Sequence, residues 1–379
     1  MAYDVWIRGG TVVDPARGLE RTDDVFVCAG RIAAPPAGGA AEAEQVIDAT
    51  GCLVLPGLID FHAHLYAGGT EIGVEPDLAL LPQGVTTAVD AGSAGIANYE
   101  GFSSSVVASS LVRIKSLLNV SPAGLATIRY PENVDPRHYQ PARAAELFSR
   151  HPGKLLGLKV RQSRSVVGPL GLAPLRATLR MAESLGCPVV VHVTDPPGSA
   201  GEIADLLRPG DVFCHVFHGM GGTILGSDGV ILPEIHAARS RGVLFDTANG
   251  RTHFAFAVAR QALAQAFLPD VISTDLVAHS LYRAPVFGLP HILSKYLALG
   301  VPLGVAVAAC TATPARLLGM GGEIGTLAPG ACADVAVFKQ TAGPAEYLDA
   351  LGERMVGRVL LVPQLTLRGG RIVFRQPTL

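Results

Sequence analysis

The stretch LPGLIDFHAHLY, Leu55–Tyr66, ends an apolar run with two histidines two positions apart. A run of that kind reads as a buried β-strand. Side chains two apart on a strand share one face, so His62 and His64 are expected to point into one cavity. Imidazole suits zinc and similar divalent metals, and a strand end at the rim is where barrel enzymes place their chemistry. An isolated H-x-H also occurs as a hydrogen-bonded structural pair, so the rest of the chain has to decide between the two.

Working outward, short apolar strands alternate with amphipathic helical patterns. Strands read near GLIDFHAH, VTTAVDAG, IKSLLNVS, LLGLKVR, PVVVHVTD, DVFCHVFHG, GVLFDTAN and DVISTDL, and helices at segments such as GLAPLRATLRMAESLG and ILPEIHAARSRG. Eight such units over residues 56–320 predict an α/β fold of the TIM-type (β/α)8 class, for which about 250 residues are typical. A doubly wound open sheet is the competing arrangement, since closure by the eighth strand is invisible in sequence. Both chain ends are β-rich: YDVWIRGGTVVD, DDVFVCAGRIAA and EQVIDATGCLVLPG at the start, GACADVAVF, RVLLVPQLTLRGG and RIVFR at the end. They predict a small β-sandwich domain built from both termini, residues 1–55 and 321–379. Ala33–Glu44 reads as its surface loop.

With 379 residues, 49% hydrophobic and 16% charged, the chain can bury a full core. A formal net charge of -2 supplies no basic stripe for phosphates, so neither nucleic acid nor an anionic membrane surface is an expected partner. The hydrophobic content is compatible with a homo-oligomer. Cys28, Cys52, Cys187, Cys214, Cys310 and Cys332 are scattered without a C-x-x-C pair, and no secretory leader precedes MAYDVWIRGG, so the expected location is a reduced cytoplasm. YLALGVPLGVAVAACTATPA is interrupted by Gly300, Pro302 and Gly304, which favours a buried turn and helix over a membrane span.

The metal reading gains weight because other strands also end in ligand-type residues: His192 closes PVVVHV, His215 closes DVFCHV and Asp275 closes VISTDL. Lys159, in LLGLKVR, follows uncharged residues. A buried ammonium is costly, so this lysine is expected to be neutralised, paired or modified, unless it snorkels at the barrel edge.

GLIDFHAH, Lys159, His192, His215 and Asp275 together resemble the amidohydrolase superfamily, and the likeness runs through nearly the whole chain. The resemblance implies a binuclear metal-dependent hydrolase. His62, His64 and Asp275 would hold one divalent metal, His192 and His215 the other, and Lys159, carboxylated by CO2, both. Zinc is the first choice, with manganese or cobalt also compatible. Two such metals lower the pKa of a shared water and polarise a carbonyl, and Asp275 is suited to take the water's proton and pass it on.

For the substrate, dihydroorotases carry an arginine two residues after the second histidine where this chain has Tyr66, and the H-A-G-E signature of adenosine deaminases is missing. HLYAGGTEIGVEPD, GVTTAVDAGSAG, GLKVRQS, HVFHG and STDL are similar to a deacetylase subgroup close to dihydroorotase. That likeness implies cleavage of an acetyl ester or amide of a small carboxylate, such as an acetylated α-hydroxy acid or an N-acetyl amino acid. Arg161, two positions after Lys159 on the same strand face, offers a planar fork for the carboxylate. It would otherwise be a loop arginine in a surface ion pair. Tyr66, His218 and His279 are further candidates for touching substrate, with Arg251 and the Asp90–Gly95 turn on nearby loops. Cys214 is expected to alternate to the face opposite His215 and pack in the core. A cyclic amide hydrolase of the hydantoinase kind is the alternative enzyme, and a non-catalytic binding protein on the same fold is the alternative of another class.

Overall fold

The computed structural model of the chain describes residues 3–36, 42–126, 128–130 and 132–379. The N-terminal runs form β1 (Tyr3–Asp14), β2 (Leu19–Cys28), β3 (Arg31–Ala33), β4 (Ala43–Asp48) and β5 (Cys52–Pro56). The middle forms β6 (Leu58–Ala63), β7 (Val85–Asp90), β8 (Arg113–Asn119), β9 (Leu155–Arg161), β10 (Val189–His192), β11 (Val212–Cys214) and β12 (Leu244–Asp246). Then come β13 (Val335–Leu348), β14 (Arg354–Arg368) and β15 (Arg371–Arg375). Of the expected surface loop Ala33–Glu44, residues 37–41 lie outside the described residues.

β6 to β12 make one curled parallel sheet in which every strand pairs with its neighbour in sequence. Parallel neighbours need crossovers, and the helical patterns supply them. In the helix Ala173–Leu185 the buried residues Leu175, Thr178, Met181 and Ala182 recur at helical spacing, and Gly186 ends it in a left-handed turn (φ +65°) that a glycine adopts without steric cost. The strands alternate. Val189, Val191, Phe213 and Phe245 pack with helix residues such as Leu175, Met181, Ile203 and Ile235, whereas Val89, Leu117, Val190, Val212 and Cys214 gather in a separate cluster on the concave side.

The eighth expected strand, DVISTDL, is irregular. Val271 bridges to Asp246 at one edge of the sheet and Leu276 to Ala63 at the other. The Asp275 amide donates to the His62 carbonyl (2.7 Å) and the His64 amide to that of Leu276 (2.9 Å). Asp275 itself sits at φ +52°, a left-handed conformation incompatible with an extended ladder, so the segment touches both edge strands without pairing regularly with either.

Strands from both chain ends share one eight-stranded sheet in the order β15-β14-β13-β5-β1-β2-β3, with β4 also on β1. The small β-domain expected from both termini is thus drawn together by one continuous hydrogen-bonded sheet. It meets the parallel sheet where β5 runs into β6. A Cβ at Gly57 would lie 2.3 Å from Thr86 Oγ1 and 3.0 Å from Asp334 Cβ, so only a glycine permits this approach. Asp334 accepts from Arg113 on β8 (2.8 Å) and Arg368 on β14 (3.2 Å), joining the two sheets through a buried carboxylate. Among the described residues no helix is long and apolar enough to cross a membrane.

Candidate metal centre

The strand ends converge on a cavity of about 240 Å³ whose lining includes His62, His64, Lys159, Arg161, His192 and Asp275. Asn119, Arg251, His253 and His279 also line it. His215 lies fully buried against this group, its ring 4.4 Å from that of His192 and 5.3 Å from that of His62. The six residues read as metal ligands in the sequence are therefore brought together.

Backbone geometry and anchoring hydrogen bonds set the direction of each ring. His215 follows β11 and would alternate away from Cys214, but its φ of +63° turns the side chain back toward the centre. The alternation rule thus fails at this position. Cys214 points to the concave side, with Sγ 3.5 Å from the Asp246 carboxylate, rather than to the opposite face as expected. A left-handed non-glycine residue costs roughly 1–2 kcal/mol. Two such residues at the same site, His215 and Asp275, indicate that surrounding contacts hold a strained constellation in place.

In two of the histidines Nδ1 is hydrogen-bonded outward, and in His62 it faces a carboxylate without a hydrogen bond. His215 Nδ1 donates to the Ala248 carbonyl (2.7 Å), His64 Nδ1 meets Ser93 Oγ (3.0 Å), and His62 Nδ1 faces Asp246 Oδ2 (3.4 Å). The Nε2 atoms remain for the centre. That of His62 is 3.2 Å from Lys159 Nζ, that of His64 is 3.2 Å from Asp275 Oδ1, and that of His215 is buried with no partner. Supporting groups hold the anchors in turn. Asp90 accepts from the amides of Leu65 and Ser93 (2.8 and 2.7 Å), and Asp246 accepts from Ser273 Oγ (2.6 Å). Such outer partners fix which ring nitrogen is left for a metal.

Protonation agrees. Burial pushes the pKa of His62 down, helped by the nearby Lys159, and holds those of His192 and His215 well below the ordinary value, so these rings are neutral with lone pairs available. Burial also lowers the pKa of Lys159. For Asp275 burial acts to raise the pKa, but the hydrogen bond from His64 and the fields of His62, His64 and His253 outweigh it, and the net shift is downward. An orphaned buried imidazole nitrogen, neutral rings and an ionised carboxylate within one cavity form a donor set that fits divalent metal ions. Among the described residues, ligand atoms lie within 4.8 Å of one another in the groups His62–His64–Asp275, His192–His215–His253 and His62–Cys214–Asp246.

Of the expected substrate contacts, Arg161 and His279 line the cavity, as does Arg251. Arg161 is held by Glu132, whose Oε2 accepts from it at 2.7 Å. Tyr66 and His218 are not brought to the site. Tyr66 packs on Phe102 (4.9 Å between rings), and His218 is fully buried outside the lining but within electrostatic reach of His253, its pKa pushed down to about 4 by burial. Sequence reasoning missed Asp246 and His253. Asp246 closes its strand in FDTAN just as His192 does, so the strand-end rule could have found it; His253 lies in the loop beyond, where no periodicity applies.

The comparisons with known proteins agree with this geometry. Models described as the amidohydrolase family match residues 45–132 and 167–370. A deacetylase of Agrobacterium fabrum is 35% identical over 93% of this chain and 86% of its own length, and one of Brucella anthropi 34% over 88% and 82%. Among solved structures, one described as an adenine deaminase (28% identity, TM-score 0.90) covers 99% of this chain and is itself wholly covered. One described as a dihydroorotase (32%, TM-score 0.87) shares 98% of both chains. The family matches and the relatives named deacetylase and dihydroorotase indicate a hydrolase of amide or ester bonds, and the chain belongs to the amidohydrolase family.

Proposed function

We propose that the protein hydrolyses an acetyl or other small acyl ester or amide of a small carboxylate, such as an acetylated α-hydroxy acid or an N-acetyl amino acid. One observation carries the reading: a guanidinium, Arg161, stands in the same small cavity as Lys159 and the converging histidines. An anionic substrate bound through its carboxylate there would place its acyl group over the metal ligands. The similarity to proteins named deacetylases supports the same choice.

In this reading His62, His64 and Asp275 hold one divalent ion, His192 and His215 a second, and Lys159 both, with zinc the ion best suited to the imidazoles. Bound there, the ions would supply Lewis acidity and a water ionisable near neutral pH. The lysine is prepared by its environment. With its pKa lowered by burial, the neutral amine can add its lone pair to CO2, releasing one proton and leaving a carbamate. Asp275, ionised, takes the proton of the attacking water and returns it to the leaving oxygen or nitrogen. Arg161 orients the substrate through its carboxylate, for which it must exchange Glu132. The same reading closes β6–β12 and Val271–Leu276 into a (β/α)8 barrel over residues 56–320, with residues 1–55 and 321–379 as a sandwich beside it.

The test is metal content on protein expressed with zinc and bicarbonate, together with acetate release from O-acetyl hydroxy acids and N-acetyl amino acids. About two metals per chain with acetate release is the expected result. The similarity to a dihydroorotase structure favours cyclic amides as the second reading, and two metals with ring opening but no acetate would establish it instead.

A further inference from the structure

His253 has no role in the reading above, yet its position is constrained from several sides. Its ring lies 4.2 Å from that of His215 and 4.8 Å from that of His192, and ring nitrogens of all three lie within 4.8 Å of one another. Thr194 Oγ1 meets its Nδ1 at 3.0 Å, which leaves Nε2 available. Nε2 has one hydrogen-bonding neighbour, a hydroxyl on the exposed side that an ion could displace. Thr252 Oγ1 is 3.2 Å away on the exposed side, and Asp275 Oδ2, at 3.6 Å, is beyond hydrogen-bonding distance.

The loop is shaped around this placement. Gly250 sits at φ +55°, and a Cβ there would fall 2.6 Å from both Asp275 Oδ2 and His253 Cδ2. Any side chain at 250 would drive His253 off the site. Next to it is the buried Nε2 of His215, which has no partner at all and would carry a desolvation penalty of about 1–3 kcal/mol if left so. Three imidazoles around one point are a sufficient protein set for zinc, with the fourth position open.

We propose that His253 is a direct metal ligand, joining His192 and His215 so that three imidazoles hold the second divalent ion alongside Lys159. The inference rests on the reading of the cavity as a metal centre. It adds a third imidazole to the second ion of that reading, so that this ion stays bound when Lys159 carries no carbamate.

The experiment is zinc competition against a chromophoric chelator, with folding of each variant checked by circular dichroism. Wild-type protein is expected to hold zinc; if it holds none, the underlying reading fails as well. In the Lys159→Ala protein one zinc per chain is expected to remain. Adding His253→Ala should weaken that ion more than about 100-fold, beyond the 10–100-fold typical of an outer-shell partner, and free imidazole should recover part of the loss. His253→Gln, which keeps a polar contact for Thr194, should lose the same affinity. A smaller loss, a glutamine variant that binds as tightly as its parent, or a Lys159→Ala protein empty of zinc while wild type is loaded would each overturn the assignment of His253 and leave the two-metal reading standing.

Discussion

Two lysines are almost equally inaccessible in this protein, Lys159 at 2% and Lys295 at 1% exposure, yet their surroundings have nothing in common. Lys159 lies near the end of β9 among groups that can share protons or metals: His62 at 3.2 Å and the fields of Cys214, Asp275 and Asp246. Lys295 lies on the helix Leu289–Ala298, donates to the Pro285 carbonyl (3.1 Å) and stands 4.7 Å over the Phe254 ring. Burial drives the pKa of each down, to about 7 for Lys295. Burial therefore does not by itself mark a reactive lysine. The partners do, and only Lys159 faces an open cavity.

The strongest way to break this contrast is to remove each amine. Lys159→Ala should lower kcat/KM by roughly 10⁴–10⁶-fold, the scale seen when one member of a catalytic unit is lost. Lys295→Met should leave turnover unchanged. Steady-state kinetics on the best acyl substrate decides, and equal losses in the two variants would abolish the distinction. Asp275→Asn comes next. It should retain most of the metal and lose roughly 10²–10⁴-fold in kcat, the usual worth of a positioned proton-transfer group. Near-normal turnover with normal metal content would remove Asp275 from the proton path.

How much of this was legible differs by residue. The His62–His64 pair, Lys159, His192, His215 and Asp275 were readable because strands have a period of two and end at one rim, and because cationic and imidazole groups stand out in apolar runs. Cys214 was placed on the wrong face since the same rule assumes extended backbone, and the left-handed turn at His215 violates it. His253 reaches the site by a loop path fixed by Gly250, and Tyr66 leaves it by packing on Phe102; neither follows from spacing. Lys295 escaped notice although ILSKYLA is as apolar as LLGLKVR, because its partners are aromatic rings contributed by the loop and helix at 254–256. The parallel sheet was visible in the alternation of the middle of the chain. That both chain ends combine was legible in their shared β-rich pattern, but which strands pair, through β1, β5 and β13, depends on long-range register that local pattern does not encode.

Arg161 sharpens the contrast from the substrate side. Arg161→Met should lower kcat/KM for carboxylate substrates about 10–100-fold, the worth of one charge-assisted hydrogen bond, and spare neutral esters. Equal loss on both would mean that the residue supports the wall instead of reading the substrate. Since Glu132 occupies the guanidinium at 2.7 Å, Glu132→Gln should act in the opposite direction and lower KM for the same anions several-fold. An unchanged KM would show that this ion pair does not compete with substrate.

The smallest effect on turnover, none, is expected at Lys295, where the consequence is in stability. Its folded pKa of about 7 lies below the value of 10.5 for an unperturbed lysine. Between those two values the unfolded chain binds a proton that the folded protein does not, so stability rises with pH across that window, by at most about 1.4 kcal/mol per pH unit from this one group. Below the lower value both states are protonated and the full penalty is present. Lys295→Met has no such group, so its advantage over wild type should be largest near neutral pH and shrink toward pH 10.5. Because buried cysteines and tyrosines also titrate in alkaline solution, the quantity to follow is the difference in unfolding free energy between the two proteins, taken from urea titrations at several pH values. A difference that stays constant from pH 7.5 to 10 would mean that the lysine is charged in the folded protein and that the Phe254 face and the Pro285 carbonyl compensate its desolvation. In that case the two buried lysines would differ in charge as well as in company.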